Sequence, residues 1–277
     1  MEKFCTAARP QNARRLVILC VILAATLIMQ ADSVAKGHIL IYTKNGQGYV
    51  HDNIAASVEC LKGICDANGW TYEVTDDAGV FTTEKVKTFD VLVFSNTNNE
   101  TFDNDEQRAV FQAYIQGGGA FVAIHSACGS ERNWPWFWAN LGGKFVRHPP
   151  LQKFDIAVID KKHPSTAHLP DVWKWEDEFY YMNEINPRIK MVLAGDLRTL
   201  KDDQKDTYPG RTFGDTFPLA WYQEFDGGYQ WYTALGHKIE YYKDEKFIKH
   251  LEGGIRWAMS KATAEIENDA TSEKKGK

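Results

Sequence analysis

Three histidines stand where apolar runs of the chain end. His51 follows the loop after His38–Thr43 (HILIYT). His125 follows Ala120–Ile124 inside the stretch GGGAFVAIHSACG, and His237 follows Tyr229–Leu235. Neutral imidazole is the commonest side-chain metal ligand, and ligands of open parallel sheets gather beyond the carboxyl ends of the strands. A carboxylate for the same place comes from WEDEFY, residues 175–180, where Glu178, beside Phe179 and Tyr180, is expected to point inward. His51, His125, Glu178 and His237 would together suit Zn²⁺ or another divalent transition metal with water in an open position. His125, Glu178 and His237 would be the catalytic members, with Glu178 or a histidine moving the proton. No two of the four sit at a local ligand spacing, so only folding can gather them.

His148-Pro149 and His163-Pro164 are further histidine candidates, each in extended backbone before a proline. A nucleophilic alternative is Cys128 with His125 as base. Cys128 lies three residues beyond the strand end, however, and no orienting carboxylate stands nearby in the chain. Ser126 lacks the G-x-S-x-G setting. The chain has neither a P-loop nor a dinucleotide fingerprint. Gly117–Gly119 precedes its strand, the wrong order for a phosphate cradle.

The elements that must position these groups alternate. The run 38–43 is a first buried strand, and a glycine-containing loop, Lys44–Val50, follows it. Asp52 or Asn53 can cap a helix carrying Ile54, Val58, Leu61 and Cys65 at near-helical spacing, closed by Asn68-Gly69. Trp70–Thr75 and Val91–Ser95 are the next strands, with Asn96, Thr97, Asn98 and Asn99 at the carboxyl end of the latter. Asp103 and Glu106 fit a capping-box spacing ahead of Val110, Phe111, Tyr114 and Ile115. This β-α-β-β-α-β order predicts an α/β fold with a doubly wound, mostly parallel central sheet flanked by helices. The second half is less regular. Trp134–Leu141 is a short helix entered at Pro135. Phe154–Asp160, Met191–Ala194, Leu219–Phe225 and Tyr229–Leu235 read as strands, the last two joined by a turn at Asp226-Gly227-Gly228. Phe247, Leu251, Ile255 and Ala258 mark a closing helix. Domain boundaries of 36–260 follow, with a charged, disordered tail over 261–277.

Residues 1–35 read as a secretory signal: a basic start with Lys3, Arg9, Arg14 and Arg15, an apolar run from Leu16 to Met29, and a cleavage site near Ser33-Val34-Ala35. The expected location is therefore secreted or periplasmic, with an uncleaved N-terminal anchor as the lesser alternative. About 242 residues remain, enough for one large domain. They carry a net charge of about −7, which argues against nucleic acid and anionic membrane surfaces as partners. Cys60, Cys65 and Cys128 are too few and too scattered for a disulfide framework, and Cys60 and Cys65 are expected in the core. Nine tryptophans supply flat faces that suit sugar rings or fill cores.

From about His38 to Met259 the chain resembles the ThuA-like (trehalose utilisation) family of the class I glutamine amidotransferase-like superfamily. The resemblance rests on GGGAFVAIHSA, LGGKFVRHPP, His163-Pro164, WEDEFYY, ALGHKIEYY and GGIRWA. It implies a flavodoxin-like sheet. It also places His125 where the wider superfamily carries a catalytic cysteine at the strand-to-helix elbow, which makes amidotransferase chemistry unexpected. Some members bind a metal through histidines near the elbow, which points again to His51, His125, Glu178 and His237. The family's association with disaccharides and keto sugars implies a small-molecule carbohydrate as partner. Asn98, His148, Trp134, Trp136, Trp175 and Trp221 are then the candidate sugar contacts, and a homo-oligomer is allowed. Two readings result: a metal-assisted sugar-modifying enzyme, or a non-catalytic carbohydrate-binding module that has lost its nucleophile.

Overall fold

Strand β1 (His38–Tyr42) starts the sheet, and its buried residues Ile39–Tyr42 match the apolar run. In the computed structural model, residues 37–207 and 212–275 are described, without the side chains of 263–275. The expected leader over 1–35 lies outside these residues. Helix α1 (Ile54–Asn68), β2 (Thr71–Thr75), the short α2 (Thr83–Val86), β3 (Val91–Ser95), α3 (Asp105–Gln116) and β4 (Ala120–Ile124) follow. Every residue of β3 and β4 is buried, as expected of parallel strands covered on both faces. After α4 (Pro135–Leu141) come β5 (Lys144–Arg147), β6 (Gln152–Val158), β7 (Val172–Asp177), β8 (Tyr181–Asn183), β9 (Lys190–Asp196), β10 (Thr216–Phe225) and β11 (Gly228–Thr233). A long helix, α5 (Glu245–Lys275), closes the chain.

Nine strands form one sheet in the order β2-β1-β3-β4-β11-β10-β9-β6-β7. Pairs from β2 through β11 are parallel, and those from β11 to β7 are antiparallel. The parallel half has the flavodoxin-like order, in which the chain winds outward in opposite directions on either side of β1 and β3 and opens a crevice at their carboxyl ends. The expected doubly wound sheet with added antiparallel strands is therefore present. Strands β5 and β8 pair separately as a two-stranded ribbon. The turn joining β10 to β11 uses positive φ at Asp226 (50°) and Gly227 (93°), which matches the twist of the hairpin.

Several local expectations shift. Helix α3 is capped by Asn104, one residue after Asp103, because Asn104 accepts from the Gln107 amide while Gln107 accepts from the Asp103 amide. Asn53 does precede α1, but its side chain makes no capping bond. Strands β5, β7 and β8 were not expected. In β7 two tryptophans alternate with charged residues, so its acidic end resembled a solvated turn. The charged segment 261–275, expected to be disordered, continues α5; it is rich in Ala, Glu and Lys, all good helix formers. Among the described residues no helix is long and apolar enough to cross a membrane. Cys60, Cys65 and Cys128 are all free thiols. Cys65 is in the core and Cys60 only half-buried against it.

Beyond β3 the backbone is pinned by Glu131. Its buried carboxylate accepts from the amides of Thr101 (2.8 Å) and Phe102 (3.2 Å) and from Arg108 Nε (2.7 Å). This clamp fixes the 96–102 loop, which delivers Asn98 to the crevice. Glu131→Ala leaves those buried donors without an acceptor. The variant should lose about 1–3 kcal/mol of stability, read as a lower urea midpoint, and an unchanged midpoint would refute the clamp.

Candidate metal centre

The crevice at the carboxyl ends of β1, β3, β4 and β11 contains a cavity of about 330 Å³. His51, Glu178 and His237 line it, and the fully buried His125 adjoins them. His51 comes from the β1–α1 loop and His125 from the first position after β4. Glu178 follows β7 and His237 follows β11. Their ligand atoms all lie within 4.8 Å of one another. The His51 and His125 rings are 4.8 Å apart, and each is 5.5 Å from the ring of His237. Glu178 Oε2 is 3.2 Å from His237 Nδ1 and 3.7 Å from His125 Nε2. The structure thus gathers the four residues that the sequence suggested for a metal.

His125, Glu178 and His237 are each held by a partner outside the group. His125 Nδ1 lies 2.7 Å from the Ala234 carbonyl. A carbonyl only accepts, so the proton belongs on Nδ1 and the Nε2 lone pair faces the cluster. The Tyr180 hydroxyl lies 2.9 Å from that Nε2 and also contacts Glu178, so its proton must turn to Glu178 for the Nε2 lone pair to hold an ion. The backbone at His125 has φ 51°, an uncommon conformation for a non-glycine residue. It turns the chain sharply at the strand end and aims the imidazole into the rim.

His237 is placed from both sides. Asp177, fully buried, accepts from the amides of Gly236 (2.9 Å), His237 (3.2 Å) and Glu178 (2.9 Å) and from Trp175 Nε1 (2.9 Å). Asn53 Nδ2 donates to the carbonyls of Gly236 (2.7 Å) and His237 (2.8 Å). Gly236 has φ 130°, and a Cβ there would stand 2.8 Å from the Tyr242 hydroxyl, so this position needs glycine. Asp177 and Asn53 were missed as site residues. The acidic run WEDEF held the signal for Asp177, but one buried carboxylate among three is not distinguishable by composition.

Burial pushes the His51 imidazole down to about 4, with His237 adding to the effect. It also takes His125 well below the ordinary histidine range. Both are therefore neutral ligands at pH 7. Burial works to raise Glu178, but contact with His237 and the charge of His148 outweigh it and hold the carboxyl below its ordinary value. Contact with Glu178 raises His237. Burial lifts Asp177 to about 6 against its four donors.

A divalent cation fits these donors. The buried Nδ1 of His51 has no hydrogen-bond partner among the described residues, a costly arrangement for an unused polar group, and the buried Nδ1 of His237 faces the carboxylate of Glu178, a fellow member of the group. Three imidazole nitrogens and one carboxylate oxygen suit a Zn²⁺-type ion.

The other candidate residues divide. His148 lines the cavity with Nδ1 3.5 Å from Glu178 Oε1, and Asn98 lines the same wall. None of the four suggested tryptophans does. Trp134 and Trp136 stack on each other, 5.1 Å between rings, against the aromatic cluster of Phe102 and Phe111. Trp175 packs on Tyr241 and Phe247. Trp221 is fully buried on Tyr232 and donates to the Leu141 carbonyl. Each packs on aromatic neighbours, Trp221 inside the core and the other three against its edge. The aromatic rings at the cavity are Tyr49, Phe145 and Tyr180. His163 stacks on Tyr222 away from the cavity and bonds Ser165. Cys128 touches the cavity, but burial pushes its thiol up to about 12, which disfavours a thiolate nucleophile.

The family model for ThuA, described as trehalose utilisation, matches residues 38–258. A search of the curated proteins found no match. Among solved structures, a ThuA-like protein from Bacteroides uniformis ATCC 8492 is similar at 24% identity and TM-score 0.65, covering 80% of this chain and 91% of that one. One from Parabacteroides merdae ATCC 43184 is similar at 18% identity and TM-score 0.61, covering 80% and 90%. A beta-galactosidase from Rahnella sp. R3 shares the fold at 14% identity and TM-score 0.52, over 90% of this chain and 35% of that one.

Asp177→Asn removes the charge that holds the Gly236–His237 amides. It should weaken Zn²⁺ binding about 10–100-fold in competition against a chromogenic chelator, and wild-type affinity would contradict the positioning role. Acid should also destabilise the chelator-treated protein. His51 and His163 titrate near 4 and His250 near 3 when folded, in each case through burial, against 6.5 when exposed. Between those limits the unfolded chain binds more protons, so stability rises with pH. Asp177, lifted to about 6, takes up its proton first in the folded state and offsets part of this below pH 6, but three imidazoles outweigh one carboxyl, so the melting temperature should fall from pH 6.5 to pH 4. His237, raised by Glu178, contributes in full below 6.5 and loses its contribution as pH rises through its folded value. A melting temperature constant from pH 6.5 to pH 4 would contradict the burial argument.

Proposed function

The chain belongs to the ThuA (trehalose utilisation) family, and from that premise we propose that it is an exported, metal-assisted enzyme that modifies trehalose or a keto sugar. The observation that carries this reading is the set of four donors within 4.8 Å of one another at a cavity, with a buried His51 nitrogen that has no hydrogen-bond partner among the described residues. The basic and then apolar leader over 1–35 supports export.

A divalent cation held by His51, His125, Glu178 and His237 would act as a Lewis acid on a sugar carbonyl or hydroxyl. The protein's own groups do the rest. Asp177 and Asn53 fix His237, while the Ala234 carbonyl fixes the tautomer of His125. His148, half-exposed beside Glu178, is placed to take or give a proton at a substrate oxygen. Tyr49, 62% exposed at the mouth, and Phe145 offer ring faces for stacking on a pyranose. The loss of any thiolate at the elbow, where His125 stands instead, supports a reaction without a covalent acyl intermediate.

The test is metal analysis of protein purified without chelator, followed by turnover of trehalose and 3-keto-trehalose. The expected outcome is one equivalent of metal per chain and turnover that falls roughly 100-fold or more in His125→Ala. Sugar binding that survives both chelator and His125→Ala, with no turnover, would replace this reading with that of a non-catalytic carbohydrate-binding module.

A further inference from the structure

One cation on the cavity wall is used neither by the metal group nor by any ion pair. Arg108, Arg147, Arg198 and Arg256 each pair with a carboxylate. Arg132 has no carboxylate partner among the described residues, although it lines the cavity. Its contacts are all neutral. Nε donates to the Gly129 carbonyl at 3.0 Å, and Nη2 donates to Asn98 Oδ1 at 3.2 Å. The guanidinium lies over the Phe145 ring, 5.7 Å from its centroid. Nη1 has no partner among the described residues.

Three loops converge to hold this group. Asn98, after β3, accepts from Arg132 and donates through Nδ2 to the Tyr49 carbonyl of the loop after β1 (3.1 Å). Gly129 ends the turn after β4, and a Cβ there would stand 2.5 Å from Asn98 Oδ1 and 3.1 Å from Arg132 Nη2. Glycine is therefore what lets the amide and the guanidinium meet. An arginine fixed on two nitrogens and one face has already lost much of its rotamer freedom, and its remaining N–H fork is preorganised for a ligand.

The surrounding charge defines that ligand. Among the described residues Glu178 is the only acidic one lining the cavity, and His125, His148 and His237 already surround it. Arg132 has no such neighbour, so the wall it occupies favours an anion. Among the described residues no lysine and no second arginine lines the cavity, which fits a planar monoanion better than a dianionic phosphate. We infer that the sugar bound here carries a carboxylate, as in a uronic or keto-uronic acid, and that Arg132 is its specificity-determining contact. This rests on the carbohydrate reading given above and narrows its substrate class from neutral sugars to sugar acids.

Calorimetric titration of the Zn²⁺-loaded full chain tests it, with D-glucuronate, D-glucuronamide, D-glucose and glucose 6-phosphate as probes. Glucuronate should bind at least about tenfold tighter than glucose or glucuronamide, the magnitude of one charge-assisted hydrogen bond. Arg132→Gln should abolish that preference without changing Zn²⁺ affinity, and Arg132→Lys should restore part of it. Equal affinities for glucuronate and glucose in the wild type would overturn this inference alone. A preference that survives in Arg132→Gln would assign the carboxylate to the metal and would also overturn it. Tightest binding of glucose 6-phosphate would replace the carboxylate with a phosphate. Binding of none of the four probes would overturn this inference alone, because the carbohydrate reading is tested on trehalose and 3-keto-trehalose.

Discussion

The site depends on one buried carboxylate. Asp177 gathers four N–H donors, two of them from the Gly236–His237 turn and one from Glu178. An ionised carboxylate in the interior is tolerated only when its lone pairs are filled. Those donors can fill them only if the end of β7 and the turn after β11 sit together. The requirement to satisfy Asp177 therefore fixes the distance between Glu178 and His237. Asn53 completes the constraint from the opposite side by taking the two carbonyls of the same turn.

The sheet supplies the common rim. Parallel strands deliver all their carboxyl ends to one edge, and the winding order opens a crevice between β1 and β3. His51, Asn98, His125 and His237 arrive there from four different strands. The antiparallel half adds what a plain doubly wound sheet lacks, because β7 runs so that its end reaches the same edge with Asp177 and Glu178. The three imidazoles thus come from the parallel half of the sheet, and Glu178, with Asp177 beside it, from the antiparallel half.

Within the cavity, charge and aromatic surface are separated. The imidazoles and Glu178 occupy one side, and Arg132, Asn98 and Phe145 the other. The burial that keeps His51 and His125 neutral also makes the unused Nδ1 of His51 costly to leave unpaired. The same burial disfavours a thiolate at Cys128. Desolvation therefore selects lone-pair ligands over a nucleophile at this rim, which agrees with a histidine standing at the elbow.

The chain alone determined the α/β class, the parallel first half and its strand ends, because runs such as 91–95 and 120–124 are apolar throughout and are bounded by turn residues. It also singled out His51, His125, Glu178 and His237, since each sits at a strand end or beside an aromatic pair. It did not show that β7 is a strand, because alternation of Trp with charged residues reads as a surface segment until a sheet neighbour buries one face. Nor did it separate Asp177 from Glu176 and Glu178, or the tryptophans that fill the core from Tyr49 and Phe145 at the cavity. Those assignments turn on which side chain meets a partner from a distant part of the chain. Arg132 shows the same limit: its residue type was legible, but the missing counter-charge and the contacts to Gly129, Asn98 and Phe145 exist only after folding. Local sequence sets which groups are available, and tertiary packing decides which of them are desolvated, paired or left facing the cavity.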